Sequence, residues 1–331
     1  MSAPRTAFVI CTHDNRAIID ACLTSVKAQT AGDWECVVVD DASADGTPAW
    51  IEARHPWVSV VRSARNVGPA LCRNLGFEET RADLIAFLDS DVELDPGWLE
   101  ATRSALLSDP SLGIVGGKLL LAARRELLHS FGGTLGRLGI GWHHHEAEEG
   151  AKVADRQESL WVCSAAMLTR RALLDRVGGF DETFFYGYED SDLGWRARLA
   201  GFSVVSIPEA LAYHRVSDTI GKMGDRIVFH ACKNRLRSLL KNYAASNLTR
   251  WLPPYLGYAL LDVVLRKPRA ARLRALGWNL RRLGDTLARR RAVQATRVRT
   301  DAELAPLFSS SLVTPAGLRR RRQAVARAVG P

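Results

Sequence analysis

The chain of 331 residues has 47% hydrophobic and 24% charged side chains, a composition that excludes a disordered chain, a collagen-like repeat and a small disulfide-stabilised protein. Its formal net charge of +9 is unevenly distributed, because residues 1–214 carry 20 basic and 30 acidic side chains whereas residues 215–331 carry 25 basic and 6 acidic ones. This asymmetry predicts an anionic partner, a nucleic acid or a membrane, for the C-terminal part alone.

The first 120 residues alternate short apolar runs with helical patterns. The apolar runs predict buried strands at 7–11, 36–39, 58–61, 84–88 and 114–115. Helical spacing predicts helices between them, at 18–28, 48–54, 68–80 and 96–107. This alternation predicts an α/β fold with a doubly wound parallel sheet, in which ligands bind beyond the carboxyl ends of the strands.

The stretch 119–160 is rich in glycine and is predicted to be a strand-rich insertion or a loop. It contains the run His143-His144-His145-Glu146, whose spacing matches no tetrahedral zinc site, so we interpret it as a solvated loop. Beyond it, the pattern predicts a short helix after Arg170, a helix at 191–200 and a strand at 202–206 that ends before Pro208.

The chain becomes basic and helical after residue 214. In its first predicted helix, apolar residues such as Leu236 and Leu239 mark one face and basic residues lie opposite. The nearly uncharged stretch 251–265 is about 15 residues long and contains two prolines, so it is short for a membrane span. Leucines between 273 and 287 recur at helical spacing among arginines, and residues 301–331 look like a weakly ordered basic tail.

The sequence shows no feature of an exported or membrane-spanning chain. The N-terminus leads straight into an apolar strand without a signal-peptide pattern, and no run of about 18 uncharged apolar residues occurs. The six cysteines are scattered without a CxxC pair, which indicates reduced thiols. We therefore expect a cytoplasmic protein.

Pairs of carboxylates follow two of the predicted strands. Asp40-Asp41 closes the run 37–39, and Asp89-Ser90-Asp91 closes the run 84–88. Two carboxylates at such a bend can bind one Mg²⁺ or Mn²⁺, which usually also contacts substrate phosphates. The alternative is that these residues only form the turns after their strands.

The order of these motifs resembles that of the family 2 glycosyltransferases. The runs 9–16, 38–47, 66–76 and 87–91 resemble the start of these enzymes, and the run Glu189-Asp190-Ser191-Asp192 resembles the acceptor half of bacterial rhamnosyltransferase-like members. The resemblance covers residues 6–215. It implies a GT-A fold, which is a Rossmann-like nucleotide-sugar-binding domain with a mostly parallel central sheet, here followed by a C-terminal α-helical extension.

The resemblance also implies a division of the chain. Residues 1–215 would form the catalytic domain, with a nucleotide-sugar-binding half at 1–118 and an acceptor-binding half at 119–215. A basic amphipathic helical extension would follow at 216–300, and the basic tail at 301–331.

Four residues match positions that hold the nucleotide sugar in the family. Thr12 and Asp41 would hold the base, Asp41 through the imide N–H of a pyrimidine. Arg73 would lie near the diphosphate. Asp89 would reach the ribose or the metal.

The metal and the acceptor have their own matching positions. Asp91, Asp89 and His214 would ligate Mg²⁺ or Mn²⁺, which stabilises the leaving diphosphate as a Lewis acid. Asp190 would be the general base that takes the proton of the acceptor hydroxyl, and Glu189 would hold the acceptor. As an alternative, both acids could simply stabilise the N-terminus of a helix.

The resemblance thus implies an inverting glycosyltransferase that moves one sugar from a nucleoside-diphosphate sugar to a hydroxyl of a lipid-linked or polysaccharide acceptor in cell-envelope glycan synthesis. The Gln-x-x-Arg-Trp run of processive synthases is missing, which favours single addition. Two other functions stay open: a basic nucleic-acid-binding protein on a degenerate α/β scaffold, and a sugar nucleotidyltransferase. The acidic N-terminal part opposes nucleic-acid binding.

The basic segment 222–291 allows two interpretations. Its leucines could pack on the catalytic domain or lie in the interface of an anionic membrane, which would place the enzyme peripherally on the inner face of the plasma membrane. The alternative is a helical bundle with a solvated basic face.

Overall fold

A ten-stranded mixed β-sheet forms the centre of the fold. The computed structural model describes residues 5–216 and 223–312. The strands are β1 Thr6–Thr12, β2 Trp34–Asp40, β3 Ser59–Arg62, β4 Leu84–Asp89, β5 Val92–Leu94, β6 Leu112–Leu121, β7 Arg124–Ser130, β8 Gly133–Leu135, β9 Gly141–His143, β10 Gln157–Glu158, β11 Ala166–Arg170 and β12 Ser203–His214. Strands β8 and β9 form a separate two-stranded sheet, and the other ten form the large sheet.

Helices cover both faces of the large sheet and continue beyond it. They are α1 Ile19–Lys27, α2 Thr47–Arg54, α3 Pro69–Glu78, α4 Trp98–Ser108, α5 Arg171–Val177, α6 Glu189–Leu199, α7 Asp225–Asn242, α8 Ala245–Leu265, α9 Arg269–Arg281 and α10 Leu283–Thr296. The predicted basic tail lies outside the described residues from position 313 on, as does the segment 217–222. None of the described helices is long and apolar enough to cross a membrane.

The sheet is parallel among its N-terminal strands and mixed beyond them. Strands β4, β1, β2 and β3 are neighbours in parallel, as the alternation of strands and helices predicts. The fifth predicted strand, β6, does not join them directly, because β11 lies antiparallel between β4 and β6. The expected GT-A arrangement with a mostly parallel sheet and C-terminal helices is confirmed, whereas an uninterrupted parallel order was wrong.

The apolar runs of β1 and β4 are buried on both sides. Phe8 and Ile10 of β1 pack in a cluster with α1, whereas Ala7 and Val9 pack in the cluster on the opposite face, which includes residues of α6. A strand covered on both faces needs apolar residues at every position, which explains why these strands show no polar alternation.

The carboxyl ends of three strands meet at one edge of the sheet. Thr12 at the end of β1 pairs in register with Asp40 at the end of β2, and Cys11 pairs with Asp89 at the end of β4. Parallel pairing therefore brings the polar residues after each strand together, because equivalent strand ends lie side by side.

Strand β12 is longer than the sequence predicted. It continues past Pro208 to His214, where the prediction ended it before the proline. The register of its pairing with β6 shifts between Ser206 and Leu211, and this irregularity accommodates a residue that cannot donate a ladder hydrogen bond. The extension delivers His214 to the edge where the polar strand ends meet.

Helix α7 packs its basic residues inside the protein. Lys233, Arg237 and Lys241 are all buried, with Arg237 fully inaccessible to solvent. The solvated basic face that we considered is therefore wrong for this helix. Arg237 and Lys241 pair with buried aspartates of the part before residue 215. Lys233 donates to the carbonyl oxygen of Thr183. A pattern of charge along one helix cannot show such partners.

Candidate active site

One cavity of about 470 Å³ opens at the carboxyl ends of β1, β2 and β4. All the site residues predicted from the sequence line it: Thr12, Asp41, Arg73, Asp89, Asp91, Glu189, Asp190 and His214. Residues before position 119 contribute the strand ends and α3, the part from 119 to 215 contributes α6 and β12, and Ile227 and Ala231 of α7 close one side.

Asp41 organises the turn that precedes α3. Its two carboxylate oxygens accept hydrogen bonds from the backbone N–H groups of Val67 and Gly68, at 2.7 and 2.8 Å. Gly68 has a φ of +84°, and a Cβ there would lie 2.4 Å from the carbonyl oxygen of Phe185, so only glycine fits. Nearby, the hydroxyl oxygen of the buried Thr12 has no hydrogen-bond partner among the described residues, as a ligand-binding group would.

Asp89, Asp91 and His214 form a candidate metal site. One ligand atom of each lies within 4.8 Å of the others. Burial opposes the charged form of His214, but its hydrogen bond to Asp91 and the charges of Asp91 and Asp89 outweigh this and raise its pKa. Two carboxylate oxygens and one imidazole nitrogen fit a divalent cation such as Mn²⁺ or Mg²⁺.

His129 lies directly behind this candidate metal site. Its Nδ1 is 3.0 Å from Nδ1 of His214, while Nε2 of His214 lies 3.3 Å from Asp91. If Nε2 of His214 ligates a cation it must carry no proton, so its Nδ1 holds the proton and donates to His129. Such partners of a ligating histidine fix its tautomer and ring orientation. The sequence analysis missed His129, because it lies in the insertion, where no motif marked it.

Arg73 connects the two halves of the site. Its guanidinium is buried and lies 2.6 Å from Asp89 and 3.3 Å from Glu189. Burial opposes its charge, but Asp89 and Glu189 hold the pKa of Arg73 above its usual value. Arg73 thus contacts both a candidate metal ligand and a candidate acceptor ligand. The resemblance to the family predicts a different partner for Arg73, the diphosphate of the donor.

The adjacent acids Glu189 and Asp190 begin α6 at the cavity. The preceding Tyr188 has a left-handed backbone with φ of +71°, an uncommon conformation for a bulky residue. Asn234 of α7 supports this turn by donating from its side-chain amide to the carbonyl oxygens of Tyr186 and Gly187, at 3.0 and 2.7 Å. Helix α7 therefore helps to orient the two acids, a role that the sequence analysis missed.

The environment of Asp190 raises its pKa to about 7, chiefly through desolvation and then through the charge of Glu189. Backbone N–H groups of Ser191, at 2.6 Å, and Ser164 donate to its carboxylate and hold its orientation. In Glu189, Oε2 is buried and has no hydrogen-bond partner among the described residues. A buried, unsatisfied carboxylate oxygen that faces a cavity is suited to bind a hydroxyl.

A buried network of charges supports α6 from behind. Lys241 donates to Asp181 and Asp192 at 2.5 and 3.0 Å, and Arg237 donates to Asp181 at 2.8 Å. Burial opposes the charges of the two aspartates, but these cations lower the pKa of both. Because Asp192 lies two residues after Asp190, the network fixes the helix that carries the candidate base to α7.

Aromatic and histidine side chains line the side of the cavity that the part from 119 to 215 forms. They are Trp142, His143, Trp161, Tyr186 and Tyr188, together with His129. His143 is half-buried, donates to or accepts from Ser130 at 2.7 Å and packs edge-on against Trp161 with ring centroids 4.9 Å apart. The prediction that His143–His145 form a solvated loop was therefore wrong for His143. The sequence around His143 contains glycines and tryptophans without regular spacing, so it did not predict that this histidine lines a cavity.

The comparison with protein families decides what this site belongs to. Residues 7–176 match the model of the family "Glycosyl transferase family 2". The chain belongs to the family 2 glycosyltransferases. The resemblance found in its sequence motifs is thereby confirmed.

Curated relatives of this glycosyltransferase add detail. It is 35% identical over 187 residues to the pre-mycofactocin glycosyltransferase of Mycobacterium tuberculosis, a match over 54% of this chain and 37% of that protein. It is 28% identical over 240 residues to the N-acetylglucosaminyl-diphospho-decaprenol L-rhamnosyltransferase of the same organism, over 65% of this chain and 77% of that one. The chain spans only 25% and 37% of the length of two curated relatives that it matches.

A solved structure supports the fold. The crystal structure of GalNAc-T7 with UDP, GalNAc and Mn²⁺ matches 83% of this chain and 55% of that chain with a TM-score of 0.62 and 14% sequence identity. At 14% sequence identity this likeness establishes the fold, but not the substrates or the roles of individual residues.

Proposed function

We propose that this glycosyltransferase moves one sugar, with inversion, from a nucleoside-diphosphate sugar to a hydroxyl of a lipid-linked or polysaccharide acceptor. The observation that carries the proposal is that one buried arginine binds two acidic residues that line the same cavity. Asp89, which belongs to the candidate metal site, and Glu189, which adjoins the candidate base, are both bound to Arg73. Family membership favours this function over nucleic-acid binding and over nucleotidyl transfer.

The donor is proposed to bind where the strands β1, β2 and β4 end. Thr12 and Asp41 would hold the base, and Asp89, Asp91 and His214 would hold Mn²⁺ or Mg²⁺. The bound cation would neutralise the negative charge of the diphosphate as it leaves. The proposal is supported by the Mn²⁺ and UDP in the GalNAc-T7 structure and by the oxygen-rich donor set of this site.

The acceptor half is proposed to supply the base. Asp190 takes the proton from the acceptor hydroxyl as the oxygen attacks the anomeric carbon from the side opposite the diphosphate. The bond between that carbon and the diphosphate oxygen breaks, and the electron pair leaves with the nucleoside diphosphate. Glu189 holds the acceptor through a hydrogen bond that its buried Oε2, which has no partner among the described residues, accepts from an acceptor hydroxyl.

The acceptor is proposed to be lipid-linked, in cell-envelope glycan synthesis. Support comes from the name of the rhamnosyltransferase relative, which acts on a diphospho-decaprenol. A lipid-linked acceptor stays in its bilayer, so the enzyme would work at the cytoplasmic surface of the membrane. The division of the chain at residue 215 is part of the same proposal.

Donor binding tests the proposal. Nucleoside-diphosphate sugars are screened by thermal shift with and without Mn²⁺, and the donor that stabilises the protein only with the metal is taken forward. Asp91→Ala is expected to abolish this metal-dependent stabilisation. Asp109→Ala, which removes an acid outside the cavity, serves as the matched control and is expected to keep it. Unchanged metal-dependent binding by Asp91→Ala would contradict the proposed site.

A further inference from the structure

Helix α8 exposes a row of large apolar side chains. Leu256, Leu260, Leu261, Val264 and Leu265 are between 41% and 74% exposed. Scattered apolar residues on a protein surface are common, but five on one helix within ten residues form a continuous apolar face. The inner side of α8 is occupied by other residues, Tyr255 and Ala259, which are buried in the helical core.

The exposed face of α8 carries no charge. Asp262, which is the one charged residue in the stretch 251–265, points inward and is buried. It is neutralised by Arg272 at 2.6 Å and Arg266 at 3.3 Å. Within the stretch 251–265 the helix thus buries its one charged side chain and presents uncharged side chains to the solvent, while Arg250 is exposed before the apolar face begins.

Basic residues are frequent in the sequence around this apolar face and follow its C-terminal end. Between positions 245 and 299 the sequence holds 13 basic residues and only two acidic ones, Asp262 and Asp285. Arg266, Lys267 and Arg269 follow the C-terminus of α8 and are all exposed. A second copy of the chain docked on the same face would bring these cations together, which is unfavourable. A nucleic acid would leave the leucines unpaired, so an anionic lipid surface fits best.

The same helical layer borders the cavity of the candidate active site. Ile227 and Ala231 of α7 line that cavity, as does Tyr188. Tyr255 of α8 lies close enough to Tyr188 to raise its pKa together with burial, and Arg235 of α7 stacks on Tyr255 with 5.5 Å between guanidinium and ring centroid. The inner side of α8 therefore packs beside the part of the cavity that Tyr188 lines, and the exposed face of α8 lies on the other side of the helix.

We propose that the exposed face of α8 inserts into the interface of an anionic bilayer, with the cations after it bound to lipid phosphates. The following helices also have exposed leucines, which are Leu273 and Leu280 on α9 and Leu283 and Leu287 on α10. The inference rests on the proposed function only where it takes the acceptor to be lipid-linked. The proposal places the membrane-binding surface on α8. The stretch 251–265 of this helix is too short to span a membrane, but it can lie in the membrane interface.

Vesicle co-sedimentation of the full chain tests this proposal. We expect binding to phosphatidylcholine vesicles that contain phosphatidylglycerol, weaker binding at high salt, and little binding to phosphatidylcholine alone. Leu260→Glu with Leu261→Glu is expected to weaken binding at least about tenfold, because both side chains leave the bilayer. Arg266→Gln with Lys267→Gln and Arg269→Gln should weaken it and remove most of its salt dependence.

Matched controls separate docking from damage to the fold. Leu107→Glu places the same charge on a leucine that is 44% exposed on α4, which packs on the opposite face of the sheet from α6. Arg54→Gln with Arg65→Gln and Arg81→Gln removes three exposed cations elsewhere. Both controls are expected to bind vesicles as the unmodified chain does.

Three results would overturn the proposal: no binding to anionic vesicles, equal binding by the α8 variants, or a leucine-dependent dimer that does not bind vesicles. Metal-dependent donor binding is measured on the same preparations. If the chain bound vesicles but showed no metal-dependent donor binding, the proposed function alone would be contradicted. If it bound the donor but not the vesicles, the docking alone would be contradicted.

Discussion

Arg73 lies 2.6 Å from Asp89, so its buried guanidinium contacts a candidate metal ligand at the end of β4. The second contact of the guanidinium, to Glu189 at 3.3 Å, means that a single buried cation compensates acids from two distant parts of the chain. The planar guanidinium can bind both at once, which a lysine ammonium at the same place does not achieve with equal geometry.

We predict that Arg73→Lys impairs donor and acceptor use together. A hydrogen bond to a charged group contributes about 1.5–3 kcal/mol, so losing one of the two contacts should lower the rate of transfer about 10- to 100-fold. Initial rates at varied donor and acceptor concentrations measure this. If Arg73→Lys impaired the use of the donor alone, Arg73 would contact only the diphosphate, and its role in connecting Asp89 to Glu189 would be contradicted.

His129 is predicted to tune metal binding without ligating the metal. His129→Ala removes the partner that fixes the tautomer of His214 and should weaken Mn²⁺ binding about 10- to 100-fold. Calorimetric titration with Mn²⁺ measures this independently of turnover. His145→Ala is the matched control, since His145 pairs with Glu148 and does not line the cavity, and it should bind Mn²⁺ normally. Equal affinities for the two variants would show that His129 has no such role.

The pH dependence of transfer is predicted to follow Asp190. With a pKa of about 7, Asp190 is protonated and inactive as a base at pH 5.5 and ionised at pH 8, so the rate should rise through pH 7. An aspartate with its ordinary pKa of about 3.9 would give no rise in this range. Donor binding is measured over the same range to separate this effect from loss of metal. A flat profile with intact donor binding would rule out Asp190 as the titrating base.

The buried network behind α6 is predicted to be essential for stability. Lys241→Met removes the cation that Asp181 and Asp192 share. Each aspartate then keeps a single cationic partner among the described residues, Arg237 or Arg196 respectively, so the free energy of unfolding should fall by about 3–5 kcal/mol.

Lys152→Met breaks a surface pair with Glu149, in which the lysine is 71% exposed, and should change the free energy of unfolding by less than about 1 kcal/mol. Urea unfolding measures both, and a small effect of Lys241→Met would show that the network is dispensable.

Much of the nucleotide half of the fold could be predicted, because its signals are local. Apolar runs mark β1, β2 and β4 as strands covered on both faces, and parallel pairing then brings the residues after them together. Asp41, Asp89 and Asp91 follow such runs directly, so their convergence needed no knowledge of distant contacts.

The acceptor half depends on contacts that no local pattern reveals. Strand β11 returns antiparallel between β4 and β6, and β12 continues past a proline, because pairing in the sheet decides both. The burial of Lys241 could not be inferred either, since a lysine on an amphipathic helix is ordinarily solvated. Its acidic partners Asp192 and Asp181 lie 49 and 60 residues earlier in the chain, and the packing of α7 on α6 and on the segment before it brings them to Lys241.

The central proposal, that this site transfers a sugar with Asp190 as base, is tested most directly by Asp190→Asn. The variant is nearly identical in shape but cannot accept the proton. Donor binding by thermal shift and sugar transfer are measured on the same preparation. We predict unchanged metal-dependent donor binding and transfer at least about 100-fold slower. Transfer at the unmodified rate would contradict the assignment.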